Sequence, residues 1–134
     1  MAPILGYLDY NKQFILFTDT SGKGLGAVLS QDQDNKEIVI AYASRSLNKA
    51  EQNYPITEQE ALAVVWAVEY FHKYLIQQKF IVVTDYSALT TMMKIHESKG
   101  RRARWIMKLQ EYDFEIKHRT GKSNRNADAL SRLY

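Results

Sequence analysis

Two aspartates follow apolar β-type segments in the same way. Phe14–Thr18 precedes Asp19, and Phe80–Thr84 precedes Asp85, so each carboxylate stands directly after a β-branched and aromatic run. A single Asp at a strand end commonly starts a turn or caps a helix. Two of them on adjacent strands would form a carboxylate pair whose mutual repulsion a cation relieves. Because carboxylate oxygens suit Mg²⁺ or Mn²⁺, the pair indicates a divalent metal site.

Glu60 has two open interpretations. Thr57 followed three residues later by Glu60 matches a capping box, in which Thr57 caps a helix and Glu60 bonds back to it. The alternative is that Glu60 lies in the first turn of a helix whose next residues, Ala61 and Val64, face the sheet. In that position its carboxylate would lie near the strand ends. One side chain cannot fully serve both roles.

Asp128 is the least distinctive of the four acidic candidates. It lies in a segment, 124–133, whose composition predicts a helix, with Arg132 four residues later. An exposed helical Asp paired with an Arg at this spacing is an ordinary surface feature. The case for Asp128 as a functional residue therefore depends on the motif around it.

The elements that must position these carboxylates follow from the apolar pattern. Predicted strands are 14–18, 25–30, 38–43, 80–84 and 114–118, and predicted helices are 57–75, 87–93, 101–111 and 124–133. The first three strands are joined by short turns at 20–24 and 32–35, which favours an antiparallel meander. The fourth strand follows a helix, and such a crossover commonly makes a strand parallel to its neighbour. If it lies beside the first strand, Asp19 and Asp85 share one edge of a mixed, helix-flanked α/β sheet.

Composition is that of one ordinary globular domain, taken as 1–134 with 1–12 as a lead-in segment. Apolar residues make up 46% and charged residues 25% of the chain. Cysteine is absent, which excludes a disulfide framework and a thiolate metal site. No apolar run approaches the roughly 18 residues of a membrane span. The first residues lack the features of a signal peptide, so neither secretion nor membrane association is expected.

Positive charge is concentrated in one segment. Residues 94–125 contain ten Lys or Arg and four Asp or Glu, whereas the rest of the chain is net negative. A basic segment beside an acidic remainder indicates a polyanionic partner. A solvated basic helix explains the same charge equally well.

Taken together, these motifs resemble the RNase H domain at the end of the reverse transcriptase of gypsy-class long-terminal-repeat retrotransposons. Six matches occur in the family's order: Phe17–Leu29, Ala41–Leu47, Thr57–Val65, Val83–Asp85, Arg104–Phe114 and Gly121–Arg132. The resemblance covers nearly the whole chain. It implies an RNase H-like fold with a five-stranded mixed sheet, in which the first three strands are antiparallel and the later ones are added in parallel.

The resemblance also implies a ligand set. Asp19, Glu60, Asp85 and Asp128 correspond to the family's four metal-binding, catalytic carboxylates. Two Mg²⁺ ions, replaceable by Mn²⁺, are expected as cofactors. Asp19 is expected to bridge both ions, with Glu60 and Asp85 on one side and Asp128 on the other.

Further site residues come from the same resemblance. His118 precedes Asp128 by ten residues, a spacing similar to that of a mobile His in RNase H enzymes. The alternative is an ordinary surface His at a strand end. The expected substrate contacts, to the RNA 2′-OH and to the DNA phosphates, are made by Thr20, Ser21, Gly22, Lys23, Thr57, Arg101 and Arg104. Gly22 replaces a common Asp of the family, Thr20 a common Ala and Tyr86 a usual His, and none of these positions is a metal ligand.

The implied function is endonucleolytic hydrolysis of the RNA strand of RNA–DNA hybrids during reverse transcription. The expected partners are the hybrid and a polymerase domain preceding this one in the same polyprotein, and the isolated domain is expected to be monomeric. The expected location is cytoplasmic, within virus-like particles. Three alternatives stay open: a non-catalytic or weakly active hybrid-binding module, a spacer between polymerase and integrase, and a related integrase or resolvase.

Overall fold

A computed structural model describes residues 8–85 and 100–118. Five strands form its sheet: β1 (Phe14–Thr20), β2 (Gly24–Gln33), β3 (Lys36–Ser46), β4 (Phe80–Thr84) and β5 (Phe114–His118). Its helices are α1 (Lys49–Gln52), α2 (Ile56–Tyr70), α3 (His72–Leu75) and α4 (Arg101–Leu109). The predicted helices 87–93 and 124–133 lie outside the described residues. No helix in the described ranges is both long and apolar enough to cross a membrane.

The sheet has the predicted mixed topology, in the order β3-β2-β1-β4-β5. β1, β2 and β3 pair antiparallel, whereas β4 is parallel to β1 and β5 is parallel to β4. The β2–β3 hairpin turns at Asp34 and Asn35, whose φ angles are 54° and 65°. Asp and Asn tolerate this left-handed backbone, which matches the twist of a two-residue hairpin. The prediction of a meander followed by parallel additions is confirmed.

The main core lies between the sheet and the helices. Apolar residues of α2, including Ala61, Val64 and Val68, are fully buried against the inward face of β1, β2 and β4. The predicted apolar face of α4 is confirmed, because Trp105, Ile106 and Leu109 are all buried in the same cluster. This packing holds α2 across the strands that carry the acidic residues.

The predicted helix 57–75 is wrong as a single helix. α2 ends at Tyr70, and Phe71, with φ −99° and ψ 24°, separates it from α3. Phe71, Tyr74 and Leu75 are all buried, and the Phe14 and Tyr74 rings meet edge to face at 6.0 Å. The break turns the chain so that these side chains pack in the core. A straight helix would direct them past the core.

A short helix, α1, was not predicted. Asn48 accepts a hydrogen bond from the Glu51 N–H at 2.8 Å, and the Glu51 carboxylate accepts one from the Asn48 N–H at 3.0 Å. This pair is a capping box made by Asn rather than by Ser or Thr. Arg45 adds a bidentate ion pair to Glu51, with distances of 2.7 and 2.8 Å. The Arg45 hydrogen bonds hold the pKa of Glu51 below its usual value, against the opposing effect of burial.

Candidate active site

The register of β1 and β4 brings two of the predicted carboxylates to one edge. Ile15, Leu16 and Phe17 lie opposite Ile81, Val82 and Val83, and the same register continued by two residues sets Asp19 opposite Asp85. Because the two strands are parallel, both carboxylates lie at the carboxyl ends of their strands. The prediction that Asp19 and Asp85 share this edge is confirmed.

Space beside Asp19 comes from a glycine. Its cross-strand neighbour on β2 is Gly26. Directly opposite residues of an antiparallel pair have Cβ atoms about 5 Å apart, and Gly26 places no side chain at that position. Asp19 is half-buried and Asp85 is exposed.

Glu60 lies with these two aspartates and does not cap α2. The Pro55 carbonyl accepts hydrogen bonds from the N–H groups of Glu58 and Gln59, at 2.9 and 3.0 Å, so α2 begins at Ile56. Thr57 is then an exposed residue inside the first turn. Pro55 is the N-cap residue of α2 and makes no side-chain hydrogen bond to the helix. The predicted Thr57–Glu60 capping box is therefore wrong, because the chain enters the helix two residues earlier than Thr57 requires.

One small site at this edge, here called the acidic cleft, is lined by three of the four predicted ligand carboxylates. Its lining is Thr18, Asp19, Glu60, Ala63, Thr84 and Asp85. β1 contributes Thr18 and Asp19, α2 contributes Glu60 and Ala63, and Thr84 at the end of β4 is followed directly by Asp85. The fourth predicted ligand, Asp128, lies outside the described residues.

The donor chemistry of this cleft fits a hard divalent cation. All three acidic side chains offer carboxylate oxygens, which Mg²⁺ and Mn²⁺ prefer. Within residues 8–85 and 100–118, no three acidic or His side chains already stand close enough together to form a metal site. The three predicted ligands that the structure describes are Asp19, Glu60 and Asp85, and they line one site at this edge of the sheet.

His118 stands at the same edge. It is the last residue of β5 and lies opposite Thr84 of β4, one residue before Asp85. It is exposed. The parallel β4–β5 pairing thereby sets the imidazole on the strand next to the acidic cleft.

The loop after β1 is held by its own hydroxyl groups. The Thr20 Oγ1 accepts from the Gly22 N–H at 3.2 Å, and the Ser21 Oγ accepts from the Lys23 and Gly24 N–H groups at 3.4 and 3.2 Å. Gly22 has φ +85°, a conformation that favours glycine. The Gly22, Lys23 and Gly24 amides therefore already donate within this loop, whereas Ser21 and Lys23, two of the predicted substrate contacts, are exposed.

Arg101 and Arg104 occupy different environments. Arg104 is exposed on the surface of α4. Arg101 makes an ion pair with Glu58 at 2.6 Å and lies over the Tyr54 ring, with its Cζ 3.9 Å from the centroid. Arg102, which sequence reasoning missed, pairs with the same carboxylate at 3.1 Å.

Glu58 is buried between these two arginines. Burial alone would raise the pKa of its carboxyl, but the hydrogen bonds and positive charges of Arg101 and Arg102 outweigh that effect and lower it. The acidic residue in the first turn of α2 and the Arg-rich start of α4 were the available signals for this cluster. Nothing in the sequence showed that the two helices meet there.

Solved structures of low sequence identity share this fold. A foamy viral protease–reverse transcriptase in complex with double-stranded DNA aligns with a TM-score of 0.68 at 17% identity, over 85% of this chain and 25% of that one. An N-terminal RNase H domain from Mycobacterium tuberculosis aligns with a TM-score of 0.66 at 15% identity, over 91% of this chain and 92% of that one. The fold is that of RNase H domains.

Sequence comparison defines the family. The model described as "RNase H-like domain found in reverse transcriptase" matches residues 9–112, and the chain belongs to this family. The Pol polyprotein of Drosophila melanogaster transposon 297 is 42% identical over 98% of this chain. The Tf2-3 transposon polyprotein of Schizosaccharomyces pombe is 38% identical over 98% of it. The chain spans only 12% and 10% of these two relatives.

Proposed function

We propose that this chain is an endoribonuclease that hydrolyses the RNA strand of RNA–DNA hybrids during reverse transcription of a long-terminal-repeat retrotransposon. One observation carries the proposal: Asp19, Glu60 and Asp85 line a single cleft at the carboxyl edge of β1 and β4, in a chain of the reverse-transcriptase RNase H family. The topology of the sheet and the family of the chain both support this proposal.

The chemistry assigns each group a task. Asp19, Glu60, Asp85 and Asp128 would hold two Mg²⁺ ions, which supply an activated water and charge neutralisation at the scissile phosphate. Ser21, whose hydroxyl oxygen already accepts two amide N–H groups, keeps its proton to donate to a sugar or phosphate oxygen. His118, exposed beside the cleft, would assist departure of the cleaved product.

The setting of the reaction belongs to the same proposal. The relatives are Pol polyproteins of transposons, of which this chain matches about a tenth. A foamy viral protease–reverse transcriptase, part of which aligns with this chain at a TM-score of 0.67, was solved in complex with an RNA/DNA hybrid. We infer a preceding polymerase domain in the same polyprotein and action within cytoplasmic virus-like particles. As an isolated domain the chain would be a monomer.

Cleavage of labelled substrates tests the proposal. With Mg²⁺ or Mn²⁺ we expect cutting of the RNA strand of a hybrid, but not of duplex DNA or duplex RNA. Asp85→Asn removes a proposed metal ligand and should reduce this cleavage more than about 100-fold, since loss of a residue that only orients a ligand can already cost that much. Asp113→Asn is the matched control and should leave the rate unchanged. Asp113 directly precedes β5 and therefore lies at the amino end of the parallel strands, away from the cleft.

Three outcomes would count against the proposal. Activity that persists in EDTA, or an equal loss in both Asp→Asn variants, would contradict metal-dependent cleavage in this cleft. Hybrid binding without any cleavage would favour the alternative of a hybrid-binding or spacer module.

A further inference from the structure

We propose that Glu58 is a positioning residue for nucleic acid: it holds Arg101 and Arg102 as a preformed clamp for the phosphodiester backbone of the hybrid. This inference rests on the proposed function, and it concerns substrate grip rather than the chemical step. It gives an acidic residue a role in binding a polyanion.

The first support is geometric. The Glu58 carboxylate bonds the Arg101 Nη2 at 2.6 Å and the Arg102 Nε at 3.1 Å. The Tyr54 ring lies beneath the Arg101 guanidinium, with 3.9 Å between its centroid and the Cζ. A stacked and hydrogen-bonded guanidinium has little rotational freedom, so little is lost when it binds an anion.

The second support is the balance of charge and exposure. One buried carboxylate faces two guanidinium groups, so the cluster keeps a net positive charge. The Glu58 side chain is 11% exposed, whereas those of Arg101 and Arg102 are 39% and 38% exposed. The Glu58 carboxylate is thus buried while the two guanidinium groups reach solvent, which is the arrangement that a phosphate-binding surface requires. The lowered pKa of Glu58 keeps the carboxylate ionised at neutral pH.

The third support is position on α2. Glu58 and Glu60 are two residues apart and therefore project about 200° apart around the helix. Glu60 lines the acidic cleft while Glu58 faces α4. The clamp is thus separated from the cleft by the body of a helix about 10 Å across. It would bind the substrate backbone at a point distant from the scissile phosphate. Loss of the clamp should therefore affect binding more than turnover.

Glu58→Gln gives a test with opposite expectations. If Glu58 merely offsets positive charge, removing its charge should strengthen hybrid binding. If it positions the arginines, we expect affinity about three- to tenfold weaker at physiological salt, because two mobile side chains must be ordered on binding. Fluorescence anisotropy with a labelled hybrid, in EDTA to prevent cleavage, measures this.

The matched control is Glu69→Gln. Glu69 is also on α2 and also pairs with α4, through Lys108 at 3.4 Å, but that pair is exposed. The same charge is removed from the same two helices, and affinity should stay the same or rise slightly. Equal behaviour of the two variants would overturn the proposal.

A coupling measurement separates positioning from general destabilisation. Glu58→Gln introduced into an Arg101→Gln, Arg102→Gln background should have no further effect on affinity. A loss that persists there overturns the proposal. In cleavage assays Glu58→Gln should raise KM and leave kcat nearly unchanged, and a fall in kcat alone would contradict the assigned role.

A second variant covers the case in which Glu58→Gln unfolds. Tyr54→Leu removes the ring beneath Arg101 but keeps the ion pair, and it should weaken hybrid binding in the same direction. Unchanged affinity in a folded Tyr54→Leu protein would contradict the clamp. Failure of the proposed function looks different: hybrid binding that depends on Glu58 without any cleavage disproves the nuclease and leaves the clamp standing.

Discussion

Glu60 shows how much the exact start of a helix matters at the scale of a single residue. A Thr-x-x-Glu pattern predicts a cap, but the Pro55 carbonyl takes the first helical hydrogen bonds instead. That shift moves Glu60 out of the first turn and into the lining of the acidic cleft. The local pattern favoured one use of the side chain, and the backbone geometry selected the other.

Gly22 is a residue whose identity the backbone requires. Its φ is +85°, and no atom lies within 4 Å of where a Cβ would stand, so strain rather than crowding opposes a side chain. We expect Gly22→Ala to lower the free energy of unfolding by about 1 to 2 kcal/mol, the cost of left-handed backbone for an L-residue. Urea denaturation measures this.

Lys23→Ala is the control for that substitution. Lys23 is the next residue of the same loop, is exposed, and does not have a positive φ. A change within about 0.5 kcal/mol is expected for such a surface site. If the two variants lost equal stability, backbone strain at Gly22 would not be the cause.

At the scale of elements, α2 and α4 form the scaffold on which the acidic cleft and the arginine cluster stand. Trp105, Ile106 and Leu109 of α4 are buried in the core cluster to which α2 also contributes. At the start of both helices, Glu58 pairs with Arg101 and Arg102. The apolar contacts are non-directional, whereas the ion pairs fix which turn of α2 faces the start of α4. Together they set the distance between the cleft and the basic surface.

Leu109 tests the apolar part of this contact. It is 1% exposed, so Leu109→Ala should leave a cavity and lower the free energy of unfolding by about 2 to 5 kcal/mol. Met107, on the same helix and 68% exposed, is the control, and Met107→Ala should change it by less than about 0.5 kcal/mol. Similar losses in thermal unfolding of the two variants would show that α4 is not anchored as described.

At the scale of the whole molecule, negative and positive charge lie in two separate regions. The carboxylates collect in one cleft, while the basic residues of α4 lie on the other side of α2. Mg²⁺ would be attracted to the first region and a sugar–phosphate backbone to the second. Hybrid binding should therefore depend on salt and only weakly on sequence.

Arg104 allows this dependence to be measured. In an Asp19→Asn background that cannot cleave, the logarithm of the hybrid affinity should fall linearly with the logarithm of salt concentration. Arg104→Gln should reduce the steepness of that line by about 1, the effect of one lost phosphate contact. Lys36→Gln, in the exposed hairpin at the far end of β3, should leave the slope unchanged. An affinity that does not fall with salt would contradict electrostatic binding through α4.

Some features of the molecule were determined by the sequence alone. Short-range patterns carry element type, so β4 and β5 begin and end at the predicted residues, and the apolar face of α4 is the predicted one. The helix that precedes β4 also favoured a parallel pairing for this strand. The sequence predicted a shared edge for Asp19 and Asp85 on the condition that β4 lies beside β1, and the tertiary structure supplied that condition.

Only the tertiary structure decided the rest, because it depends on contacts between residues distant in the chain. The break at Phe71 reflects the core that Phe14 and Tyr74 fill together, not the helical periodicity of the segment. The pairing of Glu58 with Arg101 and Arg102 joins residues more than forty positions apart. Local sequence records which residues carry charge, and packing decides which of them meet.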